Sequence, residues 1–185
     1  MDNYPPSLAP EFDAGGGVRT PFDIWWARAQ SSFPTVPREV AQYWLHEHWG
    51  HSPFGGIPSK QYEFDLKRWP SNQLREIRSG WCDFDPANTE CRAHGKHLET
   101  LVKRPYEYPT AIYMIAHGDF PSPIIVLDNR DAHVHHNPKE PWTAVPRGYV
   151  LMEGHRRFNL SLHLQDSGKL KPDVGVWLMT RRTNP

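Results

Sequence analysis

Hydrophobic and polar positions follow two different periods along this 185-residue chain. In some segments the apolar residues recur at helical spacing, whereas others show strand-like alternation or a short unbroken apolar run. The predicted helices cover residues 20–33, 37–48, a short segment after Ser71, 98–104 and 111–117. The predicted strands cover residues 62–66, 124–127, 149–152 and 174–179. This mixture predicts an α+β fold.

One segment fits both periods. Residues 158–164 alternate apolar and polar side chains, which is typical of a strand, but Phe158–Leu162 and Leu160–Leu164 are also i,i+4 pairs, which are typical of a helix. The pattern alone leaves both structures open. Residues 79–96 match neither period, and we predict that they are irregular.

The start of the chain differs from the rest. Residues 1–19 contain three prolines, a run of three glycines and few apolar side chains, which predicts a flexible arm. Residues 20–185 are predicted to form a single domain, in which residues 20–55 are an N-terminal helical extension. Thr20 is the expected N-cap of the first helix, and Pro21 is its expected first residue.

Composition narrows the function classes. The 21 basic and 21 acidic residues balance, so any binding of nucleic acid needs a local basic patch. Cys82 and Cys91 match no zinc or redox spacing, and we expect two reduced structural thiols. No apolar run reaches the roughly 18–20 residues of a membrane span, and the N-terminus does not resemble a signal peptide. These features predict a cytoplasmic protein without a membrane span.

The stretch from Gly148 to Phe158 has the form of an anion site. A short apolar strand ends at Glu153-Gly154, and His155, Arg156 and Arg157 follow directly. If the following segment is a helix, its first N–H groups and the arginine side chains point toward the same anion. Glu153 could ligate a divalent metal ion, act as a base, or pair with one of the arginines.

Other polar residues are weaker candidates. Asp128 and Asp131 follow a predicted strand, and they could contact a metal ion or nucleotide or simply form a turn. His133 and His135 share one side of an extended loop and could bind a metal ion, although a solvated loop is the alternative. The remaining candidates are His46 and His48 as part of a metal site or a polar helix end, and Arg181 and Arg182 as part of a basic patch or a solvated terminus.

The order of elements between about residues 108 and 166 resembles a known family. A helix ends at His117-Gly118, a strand begins after Pro123, and a loop leads into the strand–glycine–arginine stretch at residues 149–158. This order is similar to the ParB/sulfiredoxin superfamily, whose turn carries sequences such as Gly-Glu-Arg-Arg or Asp-Gly-His-His-Arg. The resemblance implies a compact mixed-sheet core with additional N-terminal helices, and a helix over residues 158–164.

The resemblance also implies a ligand, because members of the superfamily place nucleotide phosphates at the start of this helix. Carried over, Gly154 permits close approach of ATP or a related nucleotide, and His155, Arg156 and Arg157 contact its phosphates, together with Asp128. In an enzyme, Glu153 and these three cationic residues form the catalytic set, and Glu153 with Asp128 is the expected site for Mg²⁺.

Departures from the superfamily narrow this expectation. Gly154 stands where sulfiredoxins have their catalytic cysteine, and His155 stands where partition proteins have glutamate. Residues 167–185 are too few for the helix-turn-helix domain that partition proteins append. The size and architecture look like the plasmid-encoded fertility-inhibition proteins of the Osa type, which suppress conjugative or T-DNA transfer and are associated with ATPase and DNase activity.

Three function classes follow. The first is a nucleotide-binding hydrolase that cleaves ATP and DNA, with DNA as a partner. The second is a non-catalytic inhibitor that binds a component of a conjugation or secretion apparatus through residues 1–19 and the Trp-rich helices. The third is a small-molecule kinase similar to the free-serine kinases of the superfamily, with Glu153 as its base.

Overall fold

The structure is a computed structural model that describes residues 6–50, 59–102, 108–138 and 140–182. The chain forms two compact units. Unit 1 comprises Met1–Phe64, Val134–Ala144 and Met179–Pro185, and unit 2 comprises Asp65–His133 and Val145–Leu178. The single domain predicted over residues 20–185 stays a prediction.

Unit 1 contains the two predicted N-terminal helices. Helix α1 spans Phe22–Ala29 and continues as a 3-10 turn, and helix α2 spans Arg38–Val40 and continues as a π-helix over Ala41–His46. Both helices pack through aromatic and aliphatic side chains, and the fully buried residues of this core include Trp25, Ala29 and Leu45. The helical patterns at residues 20–33 and 37–48 are therefore confirmed, whereas residues 51–58 of the predicted extension lie outside the described residues.

The start of α1 differs from the prediction. The helix begins at Phe22, and Pro21 is the preceding residue, without a side-chain cap. The Thr20 hydroxyl instead accepts a 2.9 Å hydrogen bond from the backbone N–H of Glu11. Thr20 is therefore not the cap of α1, because its side chain bonds to a segment that precedes it in the chain.

The described part of the predicted arm has local structure. Pro6–Leu8 form a 3-10 turn, and Phe12 and Val18 form an antiparallel bridge. Asp13 closes the turn between them, because one of its carboxylate oxygens accepts 2.8 Å hydrogen bonds from the backbone N–H groups of both Gly15 and Gly17. The arm therefore has a defined hairpin turn after its prolines.

The described residues contain a five-stranded mixed sheet. Its strands are β1 (Tyr62–Pro70), β2 (Ile77–Arg78), β3 (Ile124–Asn129), β4 (Gly148–Glu153) and β5 (Asp173–Arg181), in the order β1-β5-β3-β4-β2. Strands β3 and β4 are antiparallel, whereas β2 and β4 are parallel. All four predicted strands and the α+β class are confirmed, and the residues after Ser71 form a 3-10 helix over Ser71–Glu76.

Three further helices belong to unit 2: α3 (Thr89–Val102), α4 (Pro109–His117) and α5 (His155–Asp166). The prediction of irregular structure over residues 79–96 is wrong from Thr89 onward. The buried side of α3 contains Cys91, Gly95 and Glu99, which follow the helical period but do not form an apolar stripe. The end predicted for this helix, near residue 104, lies outside the described residues.

Helix α5 settles the segment that fitted both periods. Its buried residues lie on nearly all of its sides and include polar ones. The polar residues of the alternating pattern are therefore not a solvent-facing side, and the alternation does not indicate a strand. Helix α3 lies close to it, since a Cβ built at Gly95 would be 2.0 Å from the backbone oxygen of Asn159. The helix that the resemblance implied over residues 158–164 is therefore present.

Cys82 and Cys91 form a disulfide bond, with their Cα atoms 6.1 Å apart. The expectation of two reduced thiols is wrong for this structure. The bond joins the 3-10 turn Gly80–Cys82 to the first turn of α3, where the sequence predicted irregular structure.

Within the described ranges, none of the helices is both long enough and apolar enough to cross a lipid bilayer.

Candidate functional site

The turn between β4 and α5 is built around Gly154. Gly154 has φ +93°, a backbone conformation that side chains with a Cβ rarely adopt. A Cβ at this position would also lie 2.7 Å from Cγ2 of Ile124 and 3.1 Å from Nε of Arg157. Glycine is therefore required by both conformation and space, and it lets α5 begin at His155 directly after β4.

Arg157 points into the protein. Its side chain is 10% exposed, and its guanidinium donates a 2.8 Å hydrogen bond to the backbone carbonyl of Ser122 and another to the Ser122 hydroxyl. The Glu153 carboxylate lies 3.8 Å away on the same side. Arg157 therefore holds the start of α5 against the segment that leads into β3.

Glu153 faces this buried arginine. Its side chain is 16% exposed, and it forms an i,i+4 ion pair with Arg157. Of the alternatives left open for Glu153, the structure supports pairing with an arginine, and the partner is Arg157 rather than Arg156.

His155 is the first residue of α5 and lies under Trp81. The two rings stack with their centroids 4.5 Å apart and an angle of 17° between their planes. His155 is 6% exposed, whereas Trp81 is 53% exposed. A ligand at this place therefore meets the indole of Trp81 before it meets the imidazole.

Arg156 is the exposed cation of the turn. Its guanidinium carbon lies 5.7 Å from the centre of the Tyr108 ring, the residue that precedes α4. A cation at this distance from an aromatic face is attracted by the ring's quadrupole. Arg156 therefore remains accessible to an anion, in contrast to its neighbour Arg157.

Asp128 belongs to a different place on the sheet. In the β3–β4 register Ile125 pairs with Glu153, whereas Asp128 pairs with Tyr149, near the other end of β4. The two carboxylates are thus separated along the strands by three residues of β3, or about 10 Å. They do not share a metal site, and the residues do not fit the Mg²⁺ site that the resemblance implied.

The Asp128 carboxylate is hydrogen-bonded to Arg130. Its guanidinium donates bonds of 2.9 Å and 2.7 Å to the two carboxylate oxygens, and these bonds hold the pKa of Asp128 below its ordinary value. The same guanidinium lies 5.0 Å from the centre of the Tyr149 ring. Burial raises the pKa of the Tyr149 hydroxyl.

Three of the histidines have contacts with protein groups, and the histidine metal sites stay predictions. His133 pairs with the Asp131 carboxylate, and this bond lowers the pKa of Asp131. His136 forms an isolated bridge with Ala144. His46 is buried, and its Nε2 lies 2.8 Å from the carbonyl oxygen of Thr20. The described ranges contain no group of three or more His, Cys, Asp or Glu side chains that could hold a metal ion.

Arg181 and Arg182 are exposed at the end of β5. They belong to unit 1 by position in the chain, whereas all residues of the Gly154 turn belong to unit 2.

Three residues of the site were missed from the sequence. Trp81 lies in the stretch predicted to be irregular, and Ser122 stands between two prolines that only marked a break in the pattern. Tyr108 only preceded a predicted helix. The only signal was the high number of tryptophans, 8 in the chain, which does not indicate which one lies at a site.

Comparison of the chain with protein-family models, with curated proteins and with solved structures found no match.

Proposed function

We propose that this chain binds the phosphates of a nucleotide or of DNA at the start of α5, with Arg156 as the main contact. The observation that carries the proposal is that one of the two neighbouring arginines is buried and the other is exposed. Arg157 is buried and bonded to Ser122, which fixes the turn, whereas Arg156 is exposed beside it.

The chemistry of the turn suits a phosphate. The N-terminus of an α-helix is the positive end of the helix dipole, which favours an anion, and α5 begins at His155 beside Arg156. The guanidinium of Arg156 can grip two phosphate oxygens at once, and such charge-assisted bonds are roughly twice as strong as neutral ones. The other residues position this pair, since Arg157 anchors the turn and His155 lies behind Trp81.

Hydrolysis of ATP and DNA is the activity that the resemblance adds to phosphate binding. In that activity Arg156 would stabilise the negative charge that develops on the phosphate under attack. The proposal assigns no step to Glu153 with Asp128, because the two lie at different ends of the β3–β4 pair. The kinase alternative is less favoured, because Glu153, the base that it requires, is paired with Arg157.

In the cell, the proposed role is suppression of conjugative or T-DNA transfer in the cytoplasm, with DNA and the transfer apparatus as partners. The redox state of Cys82 and Cys91 tests the cytoplasmic location, because structural disulfides are rare in reducing compartments. If the protein is cytoplasmic, alkylation of cell extracts trapped in acid should find Cys82 and Cys91 reduced. If neither cysteine can be alkylated, because both are in the disulfide, the cytoplasmic location is contradicted.

The binding proposal is tested with the full chain and two single arginine changes. Arg156→Ala should weaken binding of ATP and of a short DNA strand roughly 10- to 150-fold, the loss expected for a hydrogen bond to a charged group. Arg182→Ala removes another exposed arginine and should leave both affinities unchanged. Equal affinity of the Arg156→Ala and native proteins in calorimetry, with the fold intact, would overturn the proposal.

A non-catalytic inhibitor is the second candidate, and the exposed apolar side chains of unit 1 favour it. Ile24 on α1 is 63% exposed and Trp142 is 81% exposed, whereas Trp25 of the Trp-rich helices is fully buried. The contact surface of such an inhibitor would therefore include Ile24 and Trp142. Partner binding that survives Arg156→Ala but is lost in Trp142→Ala, without phosphate release from ATP, would favour this function.

A further inference from the structure

Trp81 presents one face of its indole to solvent. His155 covers the opposite face, because the two rings stack nearly parallel with centroids 4.5 Å apart. A ring enclosed on both faces would retain little accessible surface, yet Trp81 is 53% exposed. The face of the indole that points away from His155 is therefore open.

Contacts of its backbone and of its stacked face fix the Trp81 side chain in place. The backbone N–H of Trp81 donates to the Ser79 hydroxyl, and the next residue, Cys82, is buried. Behind the indole, His155 is 6% exposed and begins α5. A flat aromatic surface that is fixed before binding loses little conformational entropy when a ligand stacks on it.

We propose that the open face of Trp81 is a stacking platform for a nucleobase. Every base has a flat π-face, and aromatic side chains that present a free ring are the common means of binding bases without reading their sequence. Arg156 follows His155, on which Trp81 stacks, and is exposed, so the proposed base site and phosphate site adjoin consecutive residues of α5.

This inference adds the base to the phosphate site of the proposed function and rests on that function only for the phosphate. The stacking itself depends on the Trp81 and His155 rings. The base can come from a free nucleotide or from single-stranded DNA, and the two sources are separated by the ligands used in the test.

The test compares ligands with and without bases on the full-length protein. The ligands are ATP, inorganic tripolyphosphate, an oligothymidylate of about 12 nucleotides, and the same strand with abasic residues. The variants are Trp81→Ala, Trp81→Phe, which keeps a ring, and the control Trp142→Ala, which removes another exposed tryptophan. Affinities are measured by calorimetry and by fluorescence anisotropy of the labelled strands.

Trp81→Ala should weaken binding of the base-containing ligands roughly 5- to 150-fold, the loss expected when one stacked base is released. Trp81→Phe should keep most of the affinity, and Trp142→Ala should keep all of it. Tripolyphosphate and the abasic strand should bind the native and Trp81→Ala proteins equally. An effect on ATP alone identifies a free nucleotide as the source, and an effect on the thymidylate strand identifies single-stranded DNA.

Two results would overturn the platform: unchanged affinity of Trp81→Ala for ATP and the thymidylate strand, or an equal loss for ligands with and without bases. Failure of the phosphate proposal looks different, because tripolyphosphate would then not bind while base-containing ligands still depend on Trp81.

A second measurement does not rely on the stability of an alanine variant. Among the eight indole N–H resonances expected for the native protein, the one that disappears in Trp81→Phe belongs to Trp81. Addition of the thymidylate strand should shift this resonance upfield. A resonance that stays in place while the strand binds would overturn the proposal.

Discussion

Arg157 donates a 2.8 Å hydrogen bond to the backbone carbonyl of Ser122, which lies 35 residues earlier in the chain. This bond joins the first turn of α5 to the segment before β3, and the Glu153 carboxylate lies 3.8 Å from the same guanidinium. The next residue back, Arg156, is exposed. Two adjacent arginines therefore have separate tasks, one within the fold and one at its surface.

Replacement of each arginine by alanine should separate these tasks. Arg157→Ala removes a buried charged donor from Ser122 and Glu153, and it should lower the free energy of unfolding by about 2–5 kcal/mol. Arg156→Ala should change it by no more than about 0.5 kcal/mol. Urea denaturation followed by circular dichroism measures both. Equal stability of the two variants would mean that Arg157 does not anchor the turn.

Gly95 should not tolerate a side chain, because a Cβ there would lie 2.0 Å from the backbone oxygen of Asn159. Gly95→Ala should destabilise the protein by up to about 2 kcal/mol, since an overpacking cost of about 1–3 kcal/mol outweighs the roughly 1 kcal/mol that alanine gains over glycine in a helix. The matched control is Gly50→Ala, where nothing lies within 4 Å of the added carbon. A Gly95→Ala protein as stable as this control in thermal melts would show that α3 and α5 are less close.

The Asp128–Arg130 pair should make stability depend on pH in acid. The pKa of Asp128 is lowered from 3.8 by the Arg130 hydrogen bonds, so its contribution is present above about pH 4 and is lost as the pH falls through the lowered value. The expected contribution is about 0.5–1 kcal/mol, because Arg130 is 63% exposed and solvent screens the pair.

Urea denaturation of the native protein and Asp128→Asn at pH 6 and pH 2 tests this dependence. The native protein should be more stable than Asp128→Asn at pH 6, and the stability difference between the two proteins should be smaller at pH 2. Arg130→Ala should remove the same pH-dependent part, because it removes the donors. A difference between native and Asp128→Asn that is constant with pH would contradict the pairing.

Reduction of the Cys82–Cys91 disulfide should destabilise unit 2. The bond closes a short loop, with a sequence separation of 9, for which chain entropy gives about 2–3 kcal/mol. The measurement is urea denaturation with and without a phosphine reductant. The double variant Cys82→Ala, Cys91→Ala is the control, because its stability should not respond to reductant. A native protein that is equally insensitive would show that the two thiols are not bonded in solution.

Local sequence patterns predicted the strands well. The run Ile124–Leu127 and the run Tyr149–Met152 are both buried strands, and α4 ends at His117, directly before Gly118, as predicted. The turn at Gly154 was also predicted, since an apolar run that stops at a glycine ahead of two arginines is visible in the sequence itself. Each of these features depends on side chains a few positions apart.

The sequence by itself determined the α+β class, the strands and the turn at Gly154, because backbone preference and local apolar period act within a few residues. Only the tertiary structure decided the rest. Distant segments selected Arg157 rather than Arg156 for burial against Ser122, bonded Cys82 to Cys91, and separated Asp128 from Glu153 along β3 and β4. These outcomes depend on contacts between residues that are far apart in the sequence, and the local period of apolar residues does not predict such contacts.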